Sequence, residues 1–413
     1  MLLFLVWSCA DPGAPLTGTA IEVGASDPVW DPRALPVFRL SLDAAWEARL
    51  AELIPGEDDD ECAPRETIPG SLVYENPQSG ESESYEVTVR YRGHSALKGD
   101  GRFGFKIAFD AADSEARFHD LKRVNLLGTE GDDSLLRERL AQSLMGTAGV
   151  PAPRVNHARL YINEEFQGIF PNSEEADDQS FLDAHFVDAS GHLYKSEGYC
   201  GGAGDFADEG GDWEDYEEKY DAHAGTDPDD VLEDLIPFVQ CVNDSTDAKL
   251  AECMATYTDL DEWLAEMAVD AVLPDVDGLA GAGQNFMLYA DPSTARFVVY
   301  SWDKDQAFYT DSLNEGNTIF NFYPTWRDEA PKLAVRLRSV WREDYCSTIE
   351  SLLDDYEALA TQATDLEGFL APYIADDPYF TDKAWASHVQ SIRDAIALRG
   401  PEVAAQAEEC DPG

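Results

Sequence analysis

The first half of the chain alternates apolar and polar residues in the manner of half-buried strands. Residues 85–92 and 105–109 alternate in this way, and residues 124–127 form a further short apolar run. Residues 158–162 and 166–170 flank a short polar turn, which predicts a hairpin. The pattern therefore predicts a strand-rich N-terminal region.

Apolar residues recur at helical spacing in the second half of the chain. The stretches with this spacing are 231–242, 260–272, 332–353, 356–370 and 384–398. An earlier helix is expected from Leu136 to Gly149, after N-cap candidates at residues 132–134. Strands followed by helices indicate an α+β fold, with a strand-rich lobe over residues 33–175 and a mainly helical lobe over residues 176–405.

A second predicted hairpin brings candidate chemistry with it. Two short apolar runs flank the polar turn at residues 291–294; Asp277 and Asn285 precede them, and Asp303 and Asp305 follow. Because a hairpin returns the chain to its starting point, these four side chains are expected to converge. Their oxygen donors suit Mg²⁺ or Mn²⁺ shared with substrate phosphates. A solvated acidic turn is the alternative, since 82 Asp and Glu residues would place such pairs near a turn by chance.

The order Asp, Asn, Asp around a hairpin is that in which kinase-type phosphotransferases present a catalytic base and two metal ligands. Residues 99–104 also fit G-x-G-x-x-G, and they join two predicted strands as the glycine-rich loop of kinases does. An ordinary flexible hairpin loop is the alternative. Lys106 in the second strand would pair with a carboxylate or a phosphate if it points inward, and would be a surface lysine if it points outward. Glu138 in the predicted helix could pair with a strand lysine or face solvent.

The charge balance restricts the partners of this chain. Its 413 residues, 44% hydrophobic with nine Trp, are sufficient for one large domain or two lobes with a sizeable core. The net charge of −53 would repel nucleic acid and anionic membranes. It is also typical of salt-tolerant or extracellular proteins. A nucleotide bound in this field would need a divalent cation and local Lys or Arg residues.

Residues 1–9 form a short apolar run that ends in Cys9, which we interpret as a signal peptide. The sequence Val6-Trp7-Ser8-Cys9 resembles a bacterial lipobox, which predicts lipid modification of Cys9. Residues 10–32, rich in Pro, Gly, Ala and Asp, are expected to be a flexible tether to the folded body at residues 33–405. We therefore expect an exported protein, either extracellular or a lipoprotein at the cell surface or in the periplasm. It would contact the membrane only through Cys9.

Six cysteines remain once Cys9 is set aside: Cys62, Cys200, Cys241, Cys253, Cys346 and Cys410. An even number behind an export signal predicts disulfides, for which fifteen connectivities exist. Cys241 and Cys253 are the expected local pair. The spacings match neither a zinc ribbon nor a Cys-x-x-Cys redox site, so a structural role is favoured.

Several ordered motifs between residues 87 and 308 resemble the CotH kinase family of spore-coat proteins. They are Arg92-Gly93-His94-Ser95, the basic and aromatic strand 102–109, Asp132-x-Ser134-x-x-Arg137, Gly149-Val150-Pro151-Ala152-Pro153, Tyr161-Ile162-Asn163, Gly168-Ile169-Phe170, Glu174, Leu193-Tyr194-Lys195, Asp277, Asn285 and Trp302-Asp303-Lys304-Asp305. Each motif is short. Because the motifs follow one another in the same order as in the family, coincidence is an unsatisfactory explanation.

The resemblance implies a divergent protein kinase that uses ATP and Mg²⁺ or Mn²⁺ to phosphorylate proteins, with itself as one candidate substrate. Asp277 would be the catalytic base, and Asp303, Asn285 and Asp305 would hold the metal ion. The residues that the resemblance places at the nucleotide and its phosphates are Arg92, Ser95, Arg102, Lys106, Glu174 and Lys195.

The chain also departs from the family pattern at three places. Arg102-Phe103 stands where the family often has a Lys pair, Asp275 where it often has Asn, and Lys304 where an apolar residue is usual. These departures leave open an inactive kinase-like protein that acts in binding or coat assembly. A calcium-dependent hydrolase or adhesin is a third reading, but the chain has no Gly-x-Ser-x-Gly, no His-Glu-x-x-His and no complete EF-hand loop.

Overall fold

The computed structural model describes residues 28–55, 65–93, 95–196, 198, 202–227, 230, 233–243, 246–308, 318–380 and 382–410. The expected signal peptide with Cys9 and most of the tether lie outside these ranges. Cys62, Cys200 and His94 also lie outside them, as does the side chain of Ser95.

Seven strands of the N-terminal half form a closed barrel in the order β1-β2-β3-β4-β5-β7-β6. They are β1 (Val37–Ser41), β2 (Ile68–Glu75), β3 (Ser82–Arg92), β4 (Gly104–Ala108), β5 (Arg123–Leu126), β6 (Val155–Ile162) and β7 (Glu165–Ser173). Parallel pairing of β1 with β6, in which Val37 lies opposite Arg159, closes the barrel. The strand alternation in the sequence places Val87, Val89 and Tyr91 in the barrel core.

The second half carries a four-stranded sheet in the order β11-β10-β8-β9. Its strands are β8 (His192–Ser196), β9 (Asp221–His223), β10 (Phe286–Asp291) and β11 (Arg296–Ser301). The hairpin expected around residues 291–294 is therefore formed by β10 and β11. Its turn is fixed by Asp291, whose carboxylate accepts hydrogen bonds from the backbone N–H and hydroxyl of Ser293, both at 2.8 Å.

The helices of the described residues are α1 (Trp46–Glu52), α2 (Arg137–Thr147), α3 (Gln179–His185), α4 (Leu235–Asn243), α5 (Asp247–Tyr257), α6 (Leu260–Val272), α7 (Lys332–Val340), α8 (Arg342–Ile374) and α9 (Asp382–Glu408). The N-cap residue of α2 is Leu136 rather than one of the candidates at residues 132–134, although the Asp132 carboxylate accepts the backbone N–H of Arg137 at 2.9 Å.

The helices of the C-terminal half differ from the sequence prediction at their boundaries. The stretch 332–353 is interrupted at Trp341, where ψ is 45°, so that α7 ends and α8 begins there. The break expected after residue 353 is absent, and α8 runs for 33 residues from Arg342 to Ile374. Helix α9 runs to Glu408, beyond the expected end at residue 398. Asp354 and Asp355 are exposed, while Tyr356 extends the buried stripe of the helix. A pair of acidic residues on the solvent side therefore does not end a helix.

The expected disulfide between Cys241 and Cys253 is present and joins α4 to α5. A second disulfide joins Cys346 in α8 to Cys410, just beyond α9. Both are consistent with an exported protein. Among the helices of the described residues, none has the length and apolar character needed to span a membrane.

The α+β class is confirmed, and the structure refines it in two ways. The strand-rich N-terminal half is closed into a barrel, and the C-terminal half contains a sheet as well as helices. The sheet and the helices around it share one large core, in which Trp263 of α6 donates its indole N–H to the Phe297 carbonyl of β11 at 3.2 Å. The fold thus places strands of the barrel and strands of the second sheet around the site described next.

Candidate active site

A cavity of about 710 Å³ is lined jointly by the barrel and by the second sheet. Its basic lining residues are Arg65, Arg90, Arg92, Lys106, Lys195 and Arg327, and its acidic ones are Glu175, Asp277 and Asp303. Cations therefore outnumber carboxylates in this cavity, although the whole chain carries a net charge of −53. Such a local reversal of charge suits an anionic ligand.

The hairpin of β10 and β11 brings Asp277, Asn285 and Asp303 to this cavity. Register explains the arrangement, because Phe286 lies opposite Ser301 and the Trp302 N–H donates to the Asn285 carbonyl at 3.1 Å. The Asn285 amide in turn donates to the Asp277 carboxylate at 2.9 Å. Three of the four side chains expected to converge at the open end of the hairpin, Asp277, Asn285 and Asp303, therefore line one cavity.

Asp277 lies in an environment that opposes its negative charge. Burial raises the pKa of Asp277 to about 7, and repulsion from Asp275 and Asp303 adds to the effect. Hydrogen bonds from Gln284 and Asn285 counteract only part of it. A cation bound near these carboxylates would lower that pKa and favour the ionised form.

Asp305, the fourth residue expected at this site, is not among the residues that line the cavity, and its carboxylate lies beside Gly131 and the Gln306 amide. Its pKa is raised well above the usual range, first by burial and then by the charges of Asp303 and Asp277. The concentration of negative charge around Asp303 therefore extends to Asp305, which fits a position for a cation.

Three basic residues predicted at the phosphates also line the cavity, and each has an acidic neighbour. Lys106 alternates with Phe105 and Ile107 of the barrel core, so its side chain faces away from that core and into the cavity, where it pairs with Glu175 at 2.6 Å. Arg92 lies 3.4 Å from Asp303. Lys195 bonds Asp177 at 3.0 Å, and its ammonium lies 4.3 Å from the centre of the Trp302 ring. Burial lowers the pKa of Lys106, and the charges of Glu175 and Asp177 oppose that change.

Arg102, in contrast, lies outside the cavity lining. Its guanidinium pairs with the fully buried Asp377 at 3.1 Å and stacks on the Phe170 ring at 3.9 Å. Asp377 follows α8 and also accepts the backbone N–H of Ile169 at 2.7 Å. Arg102 therefore fastens the barrel to the C-terminal helices, which corrects its predicted placement at the phosphates.

Glu174 also lies away from the cavity lining, and its neighbour Glu175 lines the cavity instead. The carboxylate of Glu174 bonds Arg154 and His185. Burial would raise the pKa of Glu174, but Arg154 and then His185 outweigh it and lower the pKa to about 2. Neighbouring residues of an extended segment point to opposite sides, so only one of Glu174 and Glu175 can face Lys106. The sequence alone could not choose between them.

The glycine-rich stretch is likewise turned away from the cavity. The Gly101 N–H donates to the Glu130 carboxylate at 3.1 Å, and a Cβ at Gly104 would meet the backbone of Gly128 at 2.7 Å. These glycines allow close packing against the segment after β5. Gly93, with φ of 100°, lines the cavity.

Glu138 adopts neither of its two expected positions. It is buried, and its carboxylate accepts the backbone N–H of Lys304 at 2.5 Å and the Gln142 amide at 3.2 Å. Burial raises the pKa of Glu138 to about 7, and the charge of Asp303 contributes. Glu138 therefore anchors the backbone between Asp303 and Asp305 to helix α2.

Two of the three departures from the family pattern contact each other. Lys304 is fully buried, and its ammonium lies 2.7 Å from both Asp275 and Asp270. Asp275 also accepts the backbone N–H of Asp277 at 3.1 Å. A charged pair, Lys304 with Asp275, thus occupies the positions where the family usually has an apolar residue and Asn. Lys304 connects the Asp277 segment to the Asp303 segment.

Other residues of the cavity were missed by sequence reasoning. Gln284, Arg90, Arg327 and Trp326 all line it. Arg90 offered a signal, because it lies two residues from Arg92 on the same strand and therefore on the same face. Arg327 and Trp326 offered none, since they belong to an irregular segment far along the chain.

The donor set fits a metal ion shared with a substrate. Within the ranges that the structure describes, no group of three or more His, Cys, Asp or Glu side chains is placed to bind a metal ion by itself. Mg²⁺ in phosphotransferases is usually held by one or two carboxylates together with water and substrate phosphates. Asp303, Asp305 and the amide oxygen of Asn285 are donors of this kind.

The family described as CotH kinase protein matches residues 89–402, which is most of the chain. The chain therefore belongs to the CotH kinase family, as the resemblance of its motifs implied. The match continues beyond those motifs into the C-terminal helices. No curated protein matches the sequence.

Proposed function

We propose that this chain is an exported protein kinase that transfers the γ-phosphate of ATP to protein hydroxyls with the help of Mg²⁺ or Mn²⁺. The observation that carries the proposal is one cavity in which Lys106, Arg92 and Lys195 face Asp277 and Asp303. Membership of the CotH kinase family supports the use of ATP.

The phosphates of ATP would bind Lys106, Arg92 and Lys195. Lys106 is paired with Glu175. A buried cation with such a partner can exchange it for a phosphate without being left unpaired at any stage. Gly93 lets the backbone approach the ligand closely. Ser95 stays a predicted phosphate contact. Arg102 and Glu174 no longer belong to this set, because each is engaged in a buried ion pair elsewhere.

Asp303, Asp305 and Asn285 would hold the metal ion, which neutralises charge on the transferring phosphate. Burial and the charges of neighbouring carboxylates disfavour the ionised forms of Asp277 and Asp305, and a cation bound beside them would favour those forms.

Asp277 would accept the proton of the substrate hydroxyl. Gln284 and Asn285 hold its carboxylate in one orientation, and Asp275 holds its backbone. A base aligned by several hydrogen bonds needs little reorganisation when the hydroxyl attacks.

At the level of the whole chain, the region 33–175 would form the nucleotide lobe and the region 176–405 the metal and acceptor lobe of a kinase-like fold. Residues 1–9 would direct export, and residues 10–32 would tether the body to a lipid on Cys9. The substrates would be proteins at the cell surface, in the periplasm or outside the cell, with the chain itself included. Nucleic acid would be excluded by charge.

The test is transfer of radiolabelled phosphate from ATP to protein in the presence of Mn²⁺ or Mg²⁺. We expect Asp277→Ala and Asp303→Ala to abolish labelling. Asp365→Ala, at an exposed position on α8, is the matched control and should label like the wild type. Equal labelling in all four proteins would contradict the assignment of the site.

A further inference from the structure

A second, smaller cavity adjoins the candidate active site. Its volume is about 210 Å³, and it lies between α7, the end of α4 and the segment around Phe206. Arg327 lines both this cavity and the larger one. The two cavities therefore meet at a single side chain, as consecutive parts of one groove would.

The basic residues of the second cavity differ in how they are held. Arg336 donates to the Val242 carbonyl at 2.9 Å and lies 3.4 Å from Asp247, so it is fixed by the protein itself. Arg327 and Lys332 contact no carboxylate within the described residues, and the buried Nε of Arg327 has no hydrogen-bond partner there. A partly desolvated guanidinium without an acceptor is unfavourable unless a ligand provides one.

The acidic residues of this cavity do not cancel that charge. Asp205 is bonded to Lys219 at 3.1 Å, and Glu329 lies on the exposed side. Eight of the chain's 29 Lys and Arg residues line one of the two cavities. In a protein of net charge −53, an anionic partner is repelled almost everywhere else and is attracted here.

Trp326 adds an apolar surface at the junction. It precedes Arg327, lines the larger cavity and is 58% exposed. An exposed indole beside an arginine is a combination that often contributes most to the binding of a polypeptide.

We propose that the two cavities form one acceptor groove, in which a carboxylate side chain of the substrate protein binds Arg327 and Lys332. The substrate would cross Trp326, with its hydroxyl at Asp277 and its acidic residue in the second cavity. The inference rests on the proposed kinase function and adds a substrate class, hydroxyl residues in acidic sequence. ATP would use the inner cations Lys106, Arg92 and Lys195.

The test compares three fluorescent peptides that each contain one serine. The residues that flank the serine are Asp and Glu in the first peptide, Asn and Gln in the second, and Lys in the third. Equilibrium binding is measured with the full chain in the presence of Mn²⁺ and a non-hydrolysable ATP analogue, so that the serine is not phosphorylated during the measurement. We expect the acidic peptide to bind best, and Arg327→Glu to weaken it by about tenfold while improving the lysine peptide. Arg296→Glu, at the exposed first residue of β11, is the matched control.

The nucleotide is measured separately, through the rise in Tm that Mn²⁺ with ATP produces. Lys332→Glu, at a residue that lines only the second cavity, should weaken binding of the acidic peptide and leave this rise unchanged. Equal binding of the three peptides to the wild type would overturn the acceptor groove, as would a loss of nucleotide response with unchanged peptide binding in Lys332→Glu. Failure of the proposed kinase function would look different, because Tm would not respond to nucleotide although Arg327 still governed peptide binding.

Discussion

Lys304 is a single residue that holds both acidic segments of the site. Its side chain binds Asp275 and Asp270, and its backbone N–H binds Glu138, all within a fully buried environment. A buried cation that satisfies two carboxylates cannot be removed without leaving them uncompensated. The segments that carry Asp277 and Asp303 are thus fixed relative to each other by one ammonium group.

Replacement of Lys304 should therefore cost much stability. We expect Lys304→Met to lower the free energy of unfolding by about 3 to 5 kcal/mol, because Asp270 and Asp275 lose their partner. Asp275→Asn in the same chain should offset part of the loss. Urea unfolding of the two single variants and the double variant measures the coupling, and strictly additive effects would contradict the network.

The contrast between Lys106 and Arg102 yields a second prediction. Lys106→Met should abolish the rise in Tm caused by Mn²⁺ with ATP, because it removes a cation from the cavity. Arg102→Met should lower the Tm of the free protein by breaking the buried pair with Asp377, yet retain the nucleotide response. The opposite pattern would restore the sequence-based assignment of Arg102 to the phosphates.

The sequence therefore predicted best the residues whose position depends on local structure. Asp277, Asn285 and Asp303 are placed by a local hairpin, whose register follows from the two apolar runs. Arg102 and Lys106 are four residues apart on one strand region, and only the packing of the distant Asp377 decides that Arg102 is used for structure. Contacts across more than 200 residues leave no trace in a local pattern.

His157 gives a prediction for pH. The buried ring accepts a hydrogen bond from Arg139 at 3.0 Å and donates to the Leu135 carbonyl at 2.7 Å. Burial and the Arg139 charge lower its pKa from 6.5 to about 3. The unfolded chain therefore binds a proton between these values while the folded chain does not, so stability falls as the pH falls from 6.5 towards 3.

His157→Gln removes that titration. In urea unfolding between pH 6 and pH 4, we expect the slope of the unfolding free energy against pH to be shallower in the variant by up to about 1.4 kcal/mol per pH unit. Identical slopes in the two proteins would show that His157 titrates normally in the fold.

At the scale of elements, the two disulfides constrain loops of different length. Cys241 and Cys253 are separated by 12 residues, and Cys346 and Cys410 by 64. Loop-closure entropy predicts a stabilisation of about 3 kcal/mol for the shorter loop and about 4 kcal/mol for the longer one. The double Ser variant of each pair, compared by urea unfolding, should rank in that order. The reverse ranking would show that strain or residual structure outweighs chain entropy.

Elements with strong periodicity were predictable, and their ends were not. Helix α6 and the β10–β11 hairpin were expected nearly at their observed bounds. The split at Trp341 and the long continuation of α8 depend on tertiary packing, which extends the buried stripe through Tyr356. Helix α5 was missed, although Thr246 caps it by accepting the Lys249 N–H.

At the scale of the whole molecule, barrel closure is the feature that sequence reasoning could not reach. It depends on β1 pairing with β6 across more than 100 residues, and no local signal specifies a parallel partner. The net charge of −53 predicts an obstacle to anionic ligands. In the folded chain, basic residues from the strands, from the sheet edge and from a loop lie around one cavity.

The central claim is that this cavity binds ATP together with a divalent metal ion. Calorimetric titration of Mn²⁺ with ATP into the full chain tests it directly. We expect one binding site per chain, no heat of binding without the metal ion, and loss of binding in Asp303→Asn. Equal binding with and without Mn²⁺, or an Asp303→Asn variant that binds like the wild type, would contradict the account.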